Sequence, residues 1–181
     1  MADLNYTPPP NRLASADNTA DRSGDPIWDI IELLFFAYRD FVSDPDDVLE
    51  KLTFGRAHHR VLHFVNRNPG MKVADLLGIL KITKQSLGRV LKQLVDQGYI
   101  VQKEGANDRR QRLLYATPKG EALAMKLAGL QTVRISRALS ELGPGAHEAA
   151  RRFLIAMIDS EGRDEVLQLI ARADQARKAK P

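Results

Sequence analysis

Residues 71–102 read MKVADLLGILKITKQSLGRVLKQLVDQGYIVQ, and this stretch decides the fold. Apolar residues recur at spacings of three and four, first over residues 73–80 and again over residues 83–97. Thr83 is a good N-cap for the second segment, and Gly98 is a residue type that commonly ends a helix. Beyond Gly98 the side chains alternate as they do in a strand. The stretch therefore predicts helix, turn, helix and strand, in that order.

An arginine-rich turn and a second strand follow. Residues 105–108, GAND, have turn chemistry, and residues 113–116 are a short strand-like run. Together with the preceding strand they predict a two-stranded hairpin whose tip carries Arg109, Arg110 and Arg112. A loop that only connects two strands needs no such charge, so the tip is predicted to meet a polyanion.

Further helices are predicted on both sides of this segment. Asp25-Pro26 predicts the start of a first helix, and the proline and aspartates of residues 43–47 predict its end. Residues 53–66 predict a second helix. Thr117-Pro118 predicts the start of a long helix that Gly143-Pro144-Gly145 ends, and two apolar segments predict helices after it.

Composition and charge narrow the class of protein. The chain has 181 residues, 44% hydrophobic and 28% charged, which suits one packed domain with extensions. It contains no cysteine, no apolar run of 18 residues and no secretory signal, so a disulfide-free cytoplasmic protein without a membrane span is predicted. Residues 1–50 carry 3 basic and 11 acidic side chains, whereas residues 81–120 carry 9 basic and 3 acidic ones. The local excess of positive charge favours a nucleic-acid partner.

The outer face of the helix predicted over residues 83–97 carries groups suited to DNA. Glutamine can bond adenine, and arginine guanine, through two hydrogen bonds each, while lysines and hydroxyls suit phosphates. The DNA-binding residues predicted on this helix are Thr83, Lys84, Gln85, Ser86, Arg89, Lys92 and Gln93. An ordinary amphipathic helix with a solvated face would show the same pattern, so the helix does not decide the function by itself.

The hairpin beside this helix favours DNA more strongly. A wing of two strands can lay arginines along a narrow minor groove, where the negative potential is enhanced. Arg109, Arg110 and Arg112 are therefore predicted to contact DNA. Asp108 is predicted to pair with an arginine and to hold the loop in shape. The alternative is a hairpin turn that only adds solubility.

These segments resemble the MarR type (multiple antibiotic resistance regulator) of winged helix-turn-helix transcription factor. The resemblance covers about residues 26–160 and rests on the stretch quoted first and on DRRQRLLYATPKGEAL at residues 108–123. Ala116 departs from the family pattern, which commonly has leucine there, and this is expected to affect packing only slightly. Residues 55–70, GRAHHRVLHFVNRNPG, resemble the LdtR-type branch of the family in particular.

The resemblance implies roles for five residues. Gln85, Ser86 and Arg89 would meet the major groove of double-stranded DNA. Arg110 would enter the minor groove, with Asp108 bracing the wing. The resemblance also implies a homodimer that binds a pseudo-palindromic operator.

A small-molecule effector is a further implication of the resemblance. The family commonly binds effectors in a crevice between the dimer helices and the DNA-binding lobe. An apolar pocket with a cation would suit an aromatic or phenolic effector. The residues expected to line it are Trp28, Phe35, Tyr38, His59 and Arg60. The alternative, at least as favoured, is that these are core and interface residues.

The predicted fold class is mostly α with a small β-hairpin wing, combining a winged helix-turn-helix DNA-binding lobe with a helical dimerisation domain. The predicted divisions are a flexible tail at 1–25, a dimerisation helix and linker at 26–52, the winged helix-turn-helix domain at 53–116, dimerisation helices at 117–171 and a frayed basic tail at 172–181.

Other functions find less support in the sequence. His59 and His63 have a spacing that can bind zinc, but the HEXXH glutamate is missing, and the favoured role for these residues and for His58 is packing and hydrogen bonding near the dimer core. No metal or other cofactor is predicted. No glycine-rich phosphate loop and no Gly-x-Ser-x-Gly motif occurs, so an enzyme is not predicted. The main rival is a winged-helix protein-interaction module without specific DNA binding.

Overall fold

The computed structural model describes residues 25–105, 108 and 111–178. In this part of the chain the elements are α1 (Trp28–Glu50), α2 (Arg56–Arg67), β1 (Met71–Lys72), α3 (Val73–Leu80), α4 (Lys84–Asp96), β2 (Ile100–Glu104), β3 (Arg112–Ala116), α5 (Pro118–Leu142), α6 (Ala146–Ala156) and α7 (Ser160–Lys178). The mostly helical fold with a small hairpin is confirmed.

The strands form one antiparallel sheet in the order β1-β3-β2. β2 and β3 are the predicted hairpin, with Ile100 opposite Ala116 and Glu104 opposite Arg112. The prediction of two strands was incomplete, because Met71 pairs with Leu114 in a third strand, β1. Two residues are too few to show an alternating pattern, so periodicity could not indicate β1.

Buried side chains from eight elements, most of them leucines and valines, form one core that includes a residue of each strand. The buried members are Leu49, Phe54, Val61, Leu62, Val65, Met71, Leu76, Leu80, Leu87, Val90, Leu91, Leu94, Tyr99, Ile100, Leu114, Leu123, Ala124 and Leu127. Burying each large apolar side chain contributes about 1.5–3 kcal/mol. Because Leu87, Leu91 and Leu94 all point into this core, the opposite face of α4 is turned outward.

Two threonines cap helices as predicted. The Thr83 Oγ1 accepts a hydrogen bond from the Ser86 N–H at 3.1 Å, and the Thr117 Oγ1 accepts one from the Gly120 N–H at 3.1 Å. Gly98 follows α4 with a φ of 72°, a left-handed conformation that suits glycine. These local signals fix both ends of α4 and the beginning of α5.

The predicted bounds of α1 were wrong at both ends. The helix begins at Trp28 and not at Pro26, and the Ile27 side chain makes no capping bond. It also continues through Pro45, which is buried, and ends only at Glu50. Tertiary contacts outweigh the helix-breaking tendency of proline here, since Leu49 is fully buried and Asp44 pairs with Arg134 at 2.9 Å.

The C-terminal segment differs from the predicted frayed tail. α7 continues to Lys178, with Ala173 buried against the rest of the chain. Asp174 pairs with Arg67 of α2, with 2.6 Å between the Arg67 Nη2 and the Asp174 Oδ1. Contacts with α2, which composition cannot indicate, order these polar residues.

The junction between the sheet and α5 is very close. The Thr117 N–H donates to the Tyr99 carbonyl at 3.0 Å, and the Thr117 Oγ1 donates to the Gly98 carbonyl at 2.7 Å. A Cβ on Gly120 would lie only 2.0 Å from the Tyr99 oxygen. The first turn of α5 therefore packs directly on the backbone at the start of β2, and only glycine fits at residue 120.

Outside the core, large apolar side chains lie uncovered on α1, α5, α6 and α7. Trp28 is 63% exposed and Phe35 is 70% exposed. The others on these helices are Ile30, Ile31, Leu33, Leu34, Phe36, Tyr38, Met125, Val133, Ile135, Leu142, Phe153, Leu154 and Ile170, and Ile27 and Met157 are exposed directly beside the ends of α1 and α6. Within the described residues, no helix combines the length and apolar character that a membrane span requires.

Candidate nucleic-acid interface

The outward face of α4 presents a row of polar side chains. Gln85, Arg89 and Gln93 are four residues apart, so they follow one another along one side of the helix. All three are exposed. Among the described residues, Gln85 and Arg89 have no hydrogen-bond or ion-pair partner, so both are available to a ligand.

The hydroxyl groups at the beginning of α4 already take part in capping the helix. The Thr83 hydroxyl accepts from the Ser86 N–H and donates to the Ser86 Oγ at 2.9 Å. The Ser86 hydroxyl retains its own proton as a donor. Lys84 is exposed beside it. The turn thus offers a hydroxyl and an ammonium group, which suit phosphate oxygens.

Two of the predicted DNA-binding cations are paired within the chain. The Lys92 ammonium contacts the Asp96 carboxylate one turn along α4, and the Arg112 Nη1 lies 2.9 Å from the Glu104 Oε1 across the hairpin. Both pairs are exposed to solvent, and pairs of this kind typically contribute about 0.2–1 kcal/mol. Exchanging either carboxylate for a phosphate would therefore cost little.

The backbone closes the hairpin tightly before its tip. The Gly105 N–H donates to the Gln111 carbonyl at 3.0 Å, and the Gln111 N–H donates to the Asp108 carbonyl at 3.0 Å. A Cβ on Gly105 would meet the Asp108 oxygen at 2.9 Å, so the turn favours glycine. Arg109 and Arg110 lie outside the described residues, and the predicted pairing of Asp108 with an arginine stays a prediction.

His58 connects α2 to α4, a contact that the sequence did not indicate. Its Nδ1 accepts a hydrogen bond from the Gly55 N–H at 3.1 Å, and its Nε2 lies 2.6 Å from the Gln93 Oε1. The imidazole also stacks on Phe54, with 4.6 Å between the ring centroids. Only its position three residues after Gly55 could have suggested the capping part of this role.

The five residues predicted to line an effector site fall into two groups. Trp28, Phe35 and Tyr38 lie exposed on the N-terminal half of α1. His59 and Arg60 lie on α2, where the Arg60 Nη2 donates to the Leu80 carbonyl at 3.2 Å. Among the described residues, no hydrogen bond or ring contact joins the two groups.

A cavity of about 510 Å³ lies instead between α2, α5 and α7. Its lining includes Met125 and Ala128 of α5, with the charged side chains of Arg67 and Arg177. His63 also contributes, and burial lowers the pKa of its imidazole, with His59 and Arg67 lowering it further. The sequence could not indicate this cavity, because part of its wall is the segment that was predicted to fray.

The histidines of α2 do not assemble a metal site in the described part of the chain. No group of three or more histidine, aspartate or glutamate side chains converges there. Burial lowers the pKa of His59, against the opposing influence of Asp46. The two partly buried histidines, His59 and His63, therefore favour the neutral form.

The order helix, turn, helix and antiparallel wing defines this protein as a winged helix-turn-helix protein. The model of the MarR family matches residues 52–111. The chain is 46% identical over 129 residues to the HTH-type transcriptional regulator PetP of Rhodobacter capsulatus, covering 71% of this chain and 78% of the relative. The chain belongs to the MarR family and is a helix-turn-helix transcriptional regulator of that type. The finer resemblance to the LdtR-type branch stays a prediction.

Solved structures share the fold at low sequence identity. A mutant MarR from E. coli complexed with operator DNA is 18% identical, with a TM-score of 0.57, covering 75% of this chain and 100% of that one. NadR in complex with 4-hydroxyphenylacetate is 21% identical, with a TM-score of 0.61, covering 77% of this chain and 99% of that one.

Proposed function

We propose that this regulator binds a pseudo-palindromic operator as a homodimer, with α4 in the major groove and the wing in the adjacent minor groove. The observation that carries the proposal is the row of Gln85 and Arg89 on α4. Their side chains are exposed and have no partner among the described residues, while the opposite face of the helix is fully buried. A buried inner face holds the helix rigidly, and a rigid row of donors suits base edges.

Further basic side chains belong to the same elements of the interface. Lys84 and Lys92 flank it on α4, and Arg112 stands on β3. Thr83 and Ser86 provide the first turn with hydroxyls for phosphate contacts. On the wing, Arg109 and Arg110 follow the bracing Asp108, and Arg110 is the residue proposed to enter the minor groove. Together these groups would hold a duplex in register against α4.

The uncovered apolar side chains of α1, α5 and α6 support a homodimer. Contiguous apolar surface of this extent usually marks an interface, and α1 presents such side chains from Trp28 to Tyr38. A second copy of the chain would cover this surface by two-fold symmetry, which would also pair two reading helices with two half-sites.

Selection of bound duplexes from a genomic library, followed by titration at several salt concentrations, tests the proposal. We expect one two-fold symmetric motif, and an affinity that falls steeply with salt because phosphate contacts release counterions. Arg89→Ala should weaken the selected motif more than it weakens unrelated duplex. Absence of any selected motif would favour the winged-helix protein-interaction module instead.

A small-molecule effector is a second candidate function, supported by the cavity between α2, α5 and α7. Its lining combines apolar groups such as Met125 and Ala128 with the Glu121 carboxylate and the guanidinium groups of Arg177 and of Arg67, which pairs with Asp174. An apolar wall with a cation suits an aromatic or phenolic acid. NadR, with the same fold, binds 4-hydroxyphenylacetate, a molecule of this class.

Calorimetric titration with a panel of aromatic acids tests the effector. Gly129→Leu should block binding, because residue 129 lines the cavity and a Cβ there meets nothing within 4 Å. The matched control is Gly88→Leu, another helical glycine with open space around its Cβ, which lies away from this cavity. Equal binding by the wild type and Gly129→Leu would place any effector elsewhere.

A further inference from the structure

We propose that His58 is a positioning residue that fixes which end of the Gln93 amide faces the DNA, and that it thereby sets the base preference where Gln93 reads. The inference rests on the proposed function, because it takes α4 to be the reading helix. Gln93 continues the row of Gln85 and Arg89, one helical turn beyond Arg89.

The hydrogen bonds of His58 determine its tautomer. A backbone N–H can only donate, so the Nδ1 that receives the Gly55 N–H at 3.1 Å carries no proton. The proton of the neutral imidazole is then on Nε2. This nitrogen lies 2.6 Å from the Gln93 Oε1, and it therefore donates to the amide oxygen.

The imidazole is held in this position from a second direction. It stacks on Phe54, with an angle of 13° between the ring planes. Phe54 is itself buried, and its ring meets the buried Tyr99 ring edge-on at 5.3 Å. The stacking and the cap on α2 together restrict rotation of His58, so its Nε2–H points steadily at α4.

The consequence for Gln93 is a fixed amide orientation. With its oxygen turned inward to His58, the amide presents its NH₂ group outward. An unrestrained glutamine would bond adenine through both its oxygen and its nitrogen. The orientation in this protein instead favours guanine, which offers the two neighbouring acceptors N7 and O6, or thymine, which offers O4, over adenine, whose acceptor N7 stands beside the donor N6.

Variants of His58 can reverse this orientation without removing the helix cap. Glutamine and glutamate at the third helical position both accept the capping N–H. His58→Gln keeps a donor for Gln93 and should keep the wild-type base preference. In His58→Glu the new side chain only accepts, so the Gln93 NH₂ should turn inward and its oxygen outward. The preferred base should then carry a donor, which is N6 of adenine or N4 of cytosine.

The test is a selection from randomised half-sites with the wild type, both variants, and each of them combined with Gln93→Ala. We expect His58→Glu to change the preferred base at one position per half-site by roughly fivefold or more. Combined with Gln93→Ala, the variants should show no dependence on residue 58. Thermal melting checks that each variant folds. If His58→Glu does not fold, His58→Phe replaces it, since it keeps the stacking but frees the Gln93 oxygen and should gain adenine.

The outcomes separate this inference from the proposed function. If the wild type selects a motif and the base preferences of all variants coincide with it, His58 does not position Gln93 and the inference is wrong. A wild-type preference for adenine at the position that Gln93→Ala affects would contradict it as well. If the wild type selects no motif, the proposed function fails, and the inference fails with it.

Discussion

The cations of the candidate nucleic-acid interface differ in whether the folded chain already pairs them with a carboxylate. Arg89 has no partner in the described chain, whereas Lys92 and Arg112 each have a carboxylate. A charged group without an internal partner can bind a ligand without first losing an ion pair within the protein. The three cations are therefore expected to contribute unequally to DNA binding.

Arg89→Ala is expected to cost about 1–3 kcal/mol of operator binding and to relax the sequence preference at one position. Fluorescence anisotropy titration against the operator and single-base variants measures both effects. Arg137→Ala provides the control, because Arg137 is an exposed arginine of α5 far along the chain from α4. Equal losses for the two variants would show that Arg89 contributes only through its general positive charge.

The wing residues give a second prediction at this scale. Arg110→Ala should cost about 1–3 kcal/mol and weaken the preference for A·T-rich flanks, while Arg112→Ala should weaken all duplexes alike. Asp108→Ala should also reduce binding, although it removes a negative charge, because the wing loses its brace. If Asp108→Ala binds DNA more tightly and the two arginine variants have similar effects, the wing contributes only as a diffuse basic patch.

The partly buried histidines predict a pH dependence of stability. Burial holds the pKa of His63 and of His59 below the ordinary value of about 6.5, so the unfolded chain binds protons more readily than the folded one. Stability is therefore fully present above about pH 6.5 and falls below it, by at most roughly 1.4 kcal/mol per pH unit for each group. Urea unfolding from pH 5 to 8 measures this slope.

Replacing one of these histidines should reduce the slope. His63→Gln removes a titrating group whose pKa is lowered by burial, so the fall of stability between pH 6.5 and 5 should be smaller than in the wild type. His147→Gln is the control, because His147 is exposed on α6. A slope of stability against pH that His63→Gln leaves unchanged, or one of opposite sign, would contradict the assignment of this pH dependence to His63.

At the scale of elements, the sequence predicted well wherever a local signal fixed the structure. Thr83, Gly98 and Thr117 determine helix ends through their own backbone neighbours, and α4 and α5 have the predicted bounds within a residue or two. The prediction was wrong where distant contacts decide. Pro45 lies inside α1 because Leu49 and Asp44 are held by other elements, and polar residues of α7 stay helical because Asp174 meets Arg67.

The candidate site was predictable to a similar degree. The helical period places Gln85 and Arg89 on the outer face of α4, because their spacing from the buried leucines determines which face they occupy. The bond between His58 and Gln93 joins residues 35 positions apart, and no local pattern indicates such a contact. The cavity depends in the same way on α7 folding back against α2 and α5.

Two glycines of α5 provide a matched prediction about this helix. Gly120→Ala should destabilise the fold by at least about 1–3 kcal/mol, because its Cβ would overlap the Tyr99 oxygen and force backbone atoms to shift. Gly129→Ala should stabilise it by up to about 1 kcal/mol, since open space surrounds that position and alanine favours helix. Chemical denaturation of both variants distinguishes a local clash from a general effect of substitution in α5.

For the whole molecule, the predicted assembly is a homodimer that buries the apolar side chains of α1, α5 and α6. Light scattering across micromolar dilution should give about twice the chain mass of 20.2 kDa. Phe35→Asp should shift the mass toward that of one chain, because a charge at the centre of an apolar interface is unpaired. Val101→Asp is the control, as Val101 is an exposed apolar residue of β2 outside this surface. A folded wild-type monomer at all concentrations would contradict the assembly.

The close packing of Gly120 on Tyr99 has a mechanical consequence for such a dimer. Because the first turn of α5 rests on the Tyr99 backbone directly before β2, we expect the sheet and the 25-residue helix to move as one rigid arm. That arm is roughly 37 Å long, so a rotation of about 5° at its far end displaces the sheet by about 3 Å. This is close to the rise of one base pair, about 3.4 Å. A small change in the angle between two copies at their interface would therefore move each wing by about one base pair along a duplex. The spacing between the two half-sites in the operator would then depend on that angle.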